Sequence, residues 1–202
     1  MKKILFNDRY KLTDAVLSGR KTQTRRIVSQ SVIDKYSMME DFTIIDDARY
    51  NVGEVVAIAQ SYASIADYYQ DPHNASCAEH YELNVGKSSC YCCEKHPGFR
   101  NKMFVAADRM IHHIRITDVR VERLQDISDE DCIAEGVGIS ATDNRIGMPF
   151  SIPFNYYIGK DERGCRYSTP RESYAALIDR ISGKGVFQSN PYVFVYDFEL
   201  VD

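Results

Sequence analysis

No stretch of about 18 consecutive apolar residues occurs in this chain, which excludes a hydrophobic transmembrane helix. The opening "MKKILFNDRY" has two lysines but only a three-residue apolar run. A secretory signal needs roughly 7–15. A cytoplasmic protein with no membrane partner is therefore expected. Tryptophan is absent. So is any excess of positive charge: the formal net charge is −4, whereas dedicated nucleic-acid binders usually carry a basic domain. There is no internal repeat and no low-complexity tract, which argues against a solenoid or a disordered linker.

What is present is ordinary in bulk and uneven in distribution. The chain has 202 residues, 44% hydrophobic and 27% charged, enough for one domain with insertions. Residues 1–26 hold eight Lys/Arg and two Asp, a balance of +6, leaving −10 for the rest. A local anion site fits this distribution; a nonspecific coat of nucleic acid does not. Half of the eight residues in "GRKTQTRR", Gly19–Arg26, are cationic. They follow a helical pattern over residues 9–18, and Gly19 suits the left-handed position that ends a helix. Arg20 and Lys21 at a helix C-terminus are partly explained by its negative dipole end. Arg25 and Arg26, with Arg20, are candidates to hold a phosphate or carboxylate. The plain alternative is a solvated basic turn.

Further along, "KKILF" reads as a first strand with Ile4 and Phe6 on one face. Residues 49–59 read as a turn at Asn51–Gly53 and then a buried strand. Residues 60–102 and 138–170 read as insertions. Residues 103–124 hold two alternating patterns, Ile114/Ile116 and Val119/Val121, out of phase by one, so a bulge or bend at Thr117–Asp118 is expected. Of His112 and His113, one should be buried and one exposed. Ser128 caps a helix running to Glu135, with Gly136 after it. Tyr174, Leu177, Ile178 and Ile181 mark one apolar face of a helix over 171–182. A last strand over 192–200 puts Tyr192, Phe194, Tyr196, Phe198 and Leu200 on one side. This order predicts one α+β domain over 1–202, a small, mostly antiparallel barrel with helices packed on it.

Two constellations carry chemistry. Glu135 meets the negative end of its helix, which is unfavourable unless it pairs with a cation; Lys21 is the expected partner. A lysine removed from water can act as a base at neutral pH, and Thr24, three residues on, offers a hydroxyl it could activate. The second constellation is "CAEHYELNVGKSSCYCCEKH". Cys77, Cys90 and Cys93, with His80 or His96 as the fourth ligand, suit a structural zinc. Free thiols in a loose insertion are the alternative. Tyr62, Tyr68 and Tyr69 are the tyrosines placed to stack on a base.

"LSGRKTQTRR", "YNVGEVV", "ITDVRVERLQDISDEDCIAEGV" and "SYAALIDRISGKGVFQSNPYVFVYDFELV" together resemble the ASCH-domain family, in the longer form found in bacteria and their phages. The resemblance covers residues 1–28, 49–60, 103–137 and 171–201, and its loop signature falls on Gly19, Lys21, Thr24 and Arg25 or Arg26. It implies a PUA-like barrel with flanking helices, a Cys/His-rich insertion lying outside the match, and a pocket for a modified nucleoside, a nucleotide or RNA. Small members are amidohydrolases that deacetylate N(4)-acetylcytidine; by motif their functional trio falls on Lys21, Thr24 and Glu135. The resemblance also leaves room for a non-catalytic RNA- or nucleotide-binding module, or a ribonuclease. This chain is longer than the compact hydrolases, and Tyr192 and Phe194 stand where relatives often carry an indole.

Overall fold

The computed structural model describes residues 1–38, 43–69, 100–140, 155–158 and 167–201. The chain divides into two compact units: Met1–Phe6 with Val55–Ile114 and Val201–Asp202, and Asn7–Glu54 with Arg115–Leu200.

In the first unit, strand β1 (Lys3–Ile4) lies parallel to β3 (Val55–Ile58), with Lys3 opposite Ala57 and Ile4 opposite Ile58. Ile58 N–H donates to His112 O at 2.8 Å. Apolar residues fill β3 on both faces, and Val56, Ala57, Ile58 and Ala59 are all buried, as an interior strand requires. Ile4 and Phe6 are buried too, as their alternation predicts. Helix α3 (Tyr62–Tyr69) follows. Its Tyr62 belongs to the apolar core with Ala57, Ala59, Ile65, Val105 and Met110, so this ring is spent on packing and is withdrawn from the stacking role. His112 and His113 are both half-buried rather than split between core and solvent. A cation closes the edge of this unit: Lys3 Nζ donates to the carbonyls of Lys102, Met103 and Val105 at 3.3, 2.9 and 2.8 Å.

The second unit begins with a break. The helical pattern over residues 9–18 is two pieces, a 3-10 turn at Asp8–Tyr10 and helix α1 (Leu12–Leu17). Lys11 sits between them at φ 57°. That left-handed conformation stops any helix in L-residues. Gly19 takes its expected left-handed conformation at φ 72°. Strand β2 (Gln23–Ile27) comes next, where a basic turn was expected. It pairs antiparallel with β7 (Tyr192–Leu200), Gln23 opposite Asp197 and Thr24 opposite Tyr196. In this unit the strands run in the order β4-β7-β2. Strand β4 (His113–Arg123) is continuous. Ile114 and Ile116 are buried, Thr117 and Asp118 are both exposed, and the residues from Val119 to Glu122 are half-buried. The phase is therefore lost at the expected place while the strand carries on.

The helices of this unit are α2 (Gln30–Met38), α4 (Asp129–Ala134), α5 (Pro170–Ser182) and the short α6 (Val186–Ser189); α4 packs against β2 and α5, and α5 against α6. Ser128 caps α4 by accepting from Asp131 N–H at 3.0 Å. Tyr174, Leu177 and Ile178 are buried on α5, but Ile181 is 39% exposed, because the last turn runs clear of the core. The described part of 138–170 contains structure of its own: β5 (Gly138–Ser140) pairs antiparallel with β6 (Asn155–Tyr157). The Tyr157 ring lies where a Cβ on Gly138 would stand. The architecture is thus mixed α+β, with parallel and antiparallel pairing in its sheet; no closed barrel is present among the described residues. Nor is any described helix long and apolar enough to cross a membrane.

Candidate active site

Three backbone hydrogen bonds place Lys21. Its N–H donates to Ala15 O of α1 at 2.9 Å. Thr22 N–H donates to Ala134 O at the end of α4, and Thr22 O accepts from Phe198 N–H of β7, both at 2.9 Å. The loop is thereby fixed to a helix on each side and to a strand. Gly136, at φ 95°, lets the chain turn away from α4, and a Cβ there would lie 3.4 Å from Lys21 Cβ and Cδ. The lysine stem is therefore packed along its length, and its ammonium is carried to the end of α4.

There Lys21 Nζ donates to Glu135 Oε2 at 2.6 Å, to Glu135 O at 2.8 Å and to Gln23 O at 2.7 Å. Lys21 is 2% exposed and Glu135 4%, so water screens this pair little. One cation thus answers two problems at once. It neutralises the carboxylate at the negative end of α4, and it satisfies a carbonyl that the last turn leaves open. Burial pulls the Lys21 pKa below its ordinary value; Glu135 opposes that, and the nearby Arg26 and Arg25 add to it.

Arg25 is not at the surface. It is 5% exposed. Its Nη2 donates to Asp131 Oδ2 at 2.9 Å and to Glu122 Oε2 at 3.2 Å, and its Nη1 reaches Glu135 Oε1 at 3.4 Å and Gln23 Oε1. Gln23 in turn donates to Asp131 Oδ1 at 3.2 Å and to Asp197 Oδ1 at 2.6 Å. Arg120 continues the chain of charge to Asp197, to Glu122 at 2.6 Å and to Asp118 at 3.2 Å. Both Nη atoms of this guanidinium are engaged by carboxylates and Gln23, while its Nε is buried with no hydrogen-bond partner among the described residues, so a phosphate would have to displace a carboxylate to reach the fork. Arg20 is exposed, with Nε donating to Ser18 Oγ at 3.3 Å, and Arg26 is half-buried.

Thr24 is buried on the opposite face of β2 from Gln23 and Arg25, because successive strand residues alternate. Among the described residues no hydrogen bond joins it to Lys21 or Glu135. The structure therefore brings together two of the three expected groups. Cys77, His80, Cys90, Cys93 and His96 lie outside the described residues. Among the described residues no group of His, Cys, Asp or Glu is arranged to hold a metal ion.

Sequence reasoning missed the partners of Arg25, Asp131 of α4 and Glu122 of β4. It also missed Tyr174, whose ring is fully buried and whose Oη has no hydrogen-bond partner among the described residues. Burial, then the charge of Glu135, pushes this phenol well above its ordinary pKa. A buried hydroxyl left unpaired costs about 1–3 kcal/mol. Tyr174→Phe is accordingly expected to leave stability unchanged or raise it by up to about 1 kcal/mol, read as the urea midpoint at constant slope. A loss above 1 kcal/mol would show that the hydroxyl is partnered in solution.

Comparison with protein-family models, with curated proteins and with solved structures found no match to this chain.

Proposed function

We propose that this protein is an amidohydrolase acting on a modified nucleoside, with N(4)-acetylcytidine as the model substrate, and that it belongs with the ASCH-domain proteins of the PUA-like superfamily. The observation that carries the reading is the buried Lys21–Glu135 pair, 2.6 Å apart, at the foot of α4. A desolvated lysine amine with a carboxylate in contact is a proton-handling device: it takes a proton when neutral and returns it when charged. In the proposed reaction the Thr24 hydroxyl attacks the amide carbonyl and its proton passes to Lys21. Glu135 orients the amine or protonates the departing amino group. Water then releases the acyl group from Thr24 as a carboxylic acid. The part given to Thr24 rests on the resemblance, and that given to Lys21 and Glu135 on their contact.

Purified protein should release acetate from N(4)-acetylcytidine, and Lys21→Ala and Thr24→Ala should each lower turnover by about 100-fold or more. Assays belong below each variant's unfolding transition.

A second reading has its own support in the sealing of the ion pair and in the exposure of Arg20. It makes the chain a non-catalytic module for RNA or a nucleotide. The wild type would then turn over no acylated nucleoside. Arg20→Ala and Arg26→Ala would weaken RNA binding and flatten its salt dependence. Structural zinc on Cys77, Cys90 and Cys93, with His80 or His96, is compatible with either reading, and zinc analysis of the same sample decides it.

A further inference from the structure

We infer that Arg25 is the positioning residue of this site: its guanidinium clamps one oxygen of the Glu135 carboxylate so that the other stays on the Lys21 ammonium. The inference rests on the reading of Lys21 and Glu135 as the proton-handling pair.

The geometry divides the carboxylate between two cations. Oε2 meets Lys21 Nζ at 2.6 Å and Oε1 meets Arg25 Nη1 at 3.4 Å. Free to turn about its last torsion, a carboxylate contacting one ammonium would sample many orientations. A second donor on the other oxygen removes that freedom. Arg25 can do this because it is itself over-determined. Asp131 of α4 and Glu122 of β4 hold Nη2, and Gln23 of its own strand holds Nη1. Its side chain is 0% exposed, whereas those of Asp131 and Glu122 are 28% and 25% exposed. The clamp is therefore inside and its anchors face outward. A lysine in this place would supply charge without the fork.

Arg25 also bears on the amine electrostatically. The charged groups set around Lys21 are Glu135 of α4 and Arg25 and Arg26 of β2. Those set around Arg25 include Asp131 of α4 and the phenol of Tyr174 on α5. Removing the Arg25 charge takes a like charge from beside Lys21 and leaves Glu135 less neutralised. Both changes favour the protonated amine, so the Lys21 pKa must rise.

The test is the titration of Lys21 in full-length protein, read from the 13Cε signal of labelled lysine and assigned by its loss in Lys21→Met. Arg25→Gln is expected to raise the Lys21 midpoint by about one pH unit. It should shift the acid limb of the kcat profile by the same amount, so that activity lost at neutral pH returns at higher pH. Arg25→Lys keeps the charge without the fork, so it should leave the midpoint nearly unmoved while kcat falls and KM is unchanged. A folded Arg25→Gln in which the Lys21 midpoint does not move, or a folded Arg25→Lys that keeps the wild-type kcat, overturns the inference. A midpoint that moves in a protein without amidohydrolase activity upholds the clamp and removes the catalytic reading instead.

Discussion

Lys21→Met is expected to destabilise the folded protein by about 3–5 kcal/mol, the loss that follows when one partner of a buried ion pair is deleted. Methionine fills nearly the volume of the lysine stem, so the contacts along Gly136 survive. The carboxylate it abandons does not do as well. Glu135 is 4% exposed and, among the described residues, keeps Arg25 alone as a cation, at 3.4 Å. The same logic predicts that the double variant Lys21→Met/Glu135→Leu recovers to within about 1 kcal/mol of the wild type, since two apolar side chains of similar size pack where two charges had to be desolvated. Arg25 still has Asp131 and Glu122 in that background. Urea denaturation of the wild type, the two single variants and the double measures the coupling directly. A double variant as unstable as Lys21→Met would mean that the loss lies in the lysine's contacts with Gln23 O and Glu135 O rather than in the charge pair. The double variant also separates folding from chemistry: on the amidohydrolase reading it is stable and inactive.

The same pair explains what the sequence could and could not say. Glu135 could be singled out because a carboxylate in the last turn of a helix is electrostatically unfavourable and so implies a partner. Lys21, 114 positions away in the chain, supplied it, and nothing local to Glu135 pointed there. Strand β2 was invisible for a related reason. Its inward residues on one face are Gln23 and Arg25, which are buried through hydrogen bonds and ion pairs instead of hydropathy, so no apolar period of two exists to be seen. The break in the first helix fell on Lys11, a residue with no special preference for the left-handed region, so composition gave no warning. Tyr62 illustrates the opposite failure. A tyrosine in a polar, weakly periodic stretch invites a binding role, yet its neighbours in space are Ala57 and Ala59 from β3 and its end, and Val105 and Met110 from beyond the insertion. Contacts that far apart in the chain leave no local pattern. By contrast, the Ser128 cap, the glycine at position 19 and the buried strand at Val55–Ile58 were readable because each depends on a few adjacent residues.

Glu135→Gln should lose about 3 kcal/mol of stability at neutral pH, and unlike Lys21→Met it should regain most of this as the solution is made alkaline. Burial already holds the Lys21 pKa below its ordinary 10.5, and Glu135 is the strongest influence opposing that. Without the carboxylate the folded-state pKa falls further. A lysine whose folded pKa lies below its unfolded pKa binds fewer protons when folded, across the window between the two values. Stability therefore rises with pH through that window and levels off near 10.5. The wild type gains less over the same range because its Lys21 is lowered less. Other groups work the other way; Tyr50 and Tyr196 are among them, and two more, Cys132 and Tyr174, stand near the pair. Burial pushes the Cys132 thiol from 9.0 up to about 12 and raises the Tyr174 phenol well above 10.0. Each stays protonated in the folded chain while its unfolded counterpart ionises, so each removes stability as pH passes its unfolded value. Glu135 adds to both shifts, but burial is the larger cause, so up to about pH 10 both groups stay protonated in either folded protein and the losses cancel in the comparison. The stability difference between wild type and Glu135→Gln, taken from urea unfolding, should thus shrink from about 3 kcal/mol near pH 7 to below about 1 kcal/mol near pH 10. A difference that stays constant over that range would mean that the amine does not shed its proton when its counter-ion is removed, and an amine of that kind could not serve as the base for Thr24.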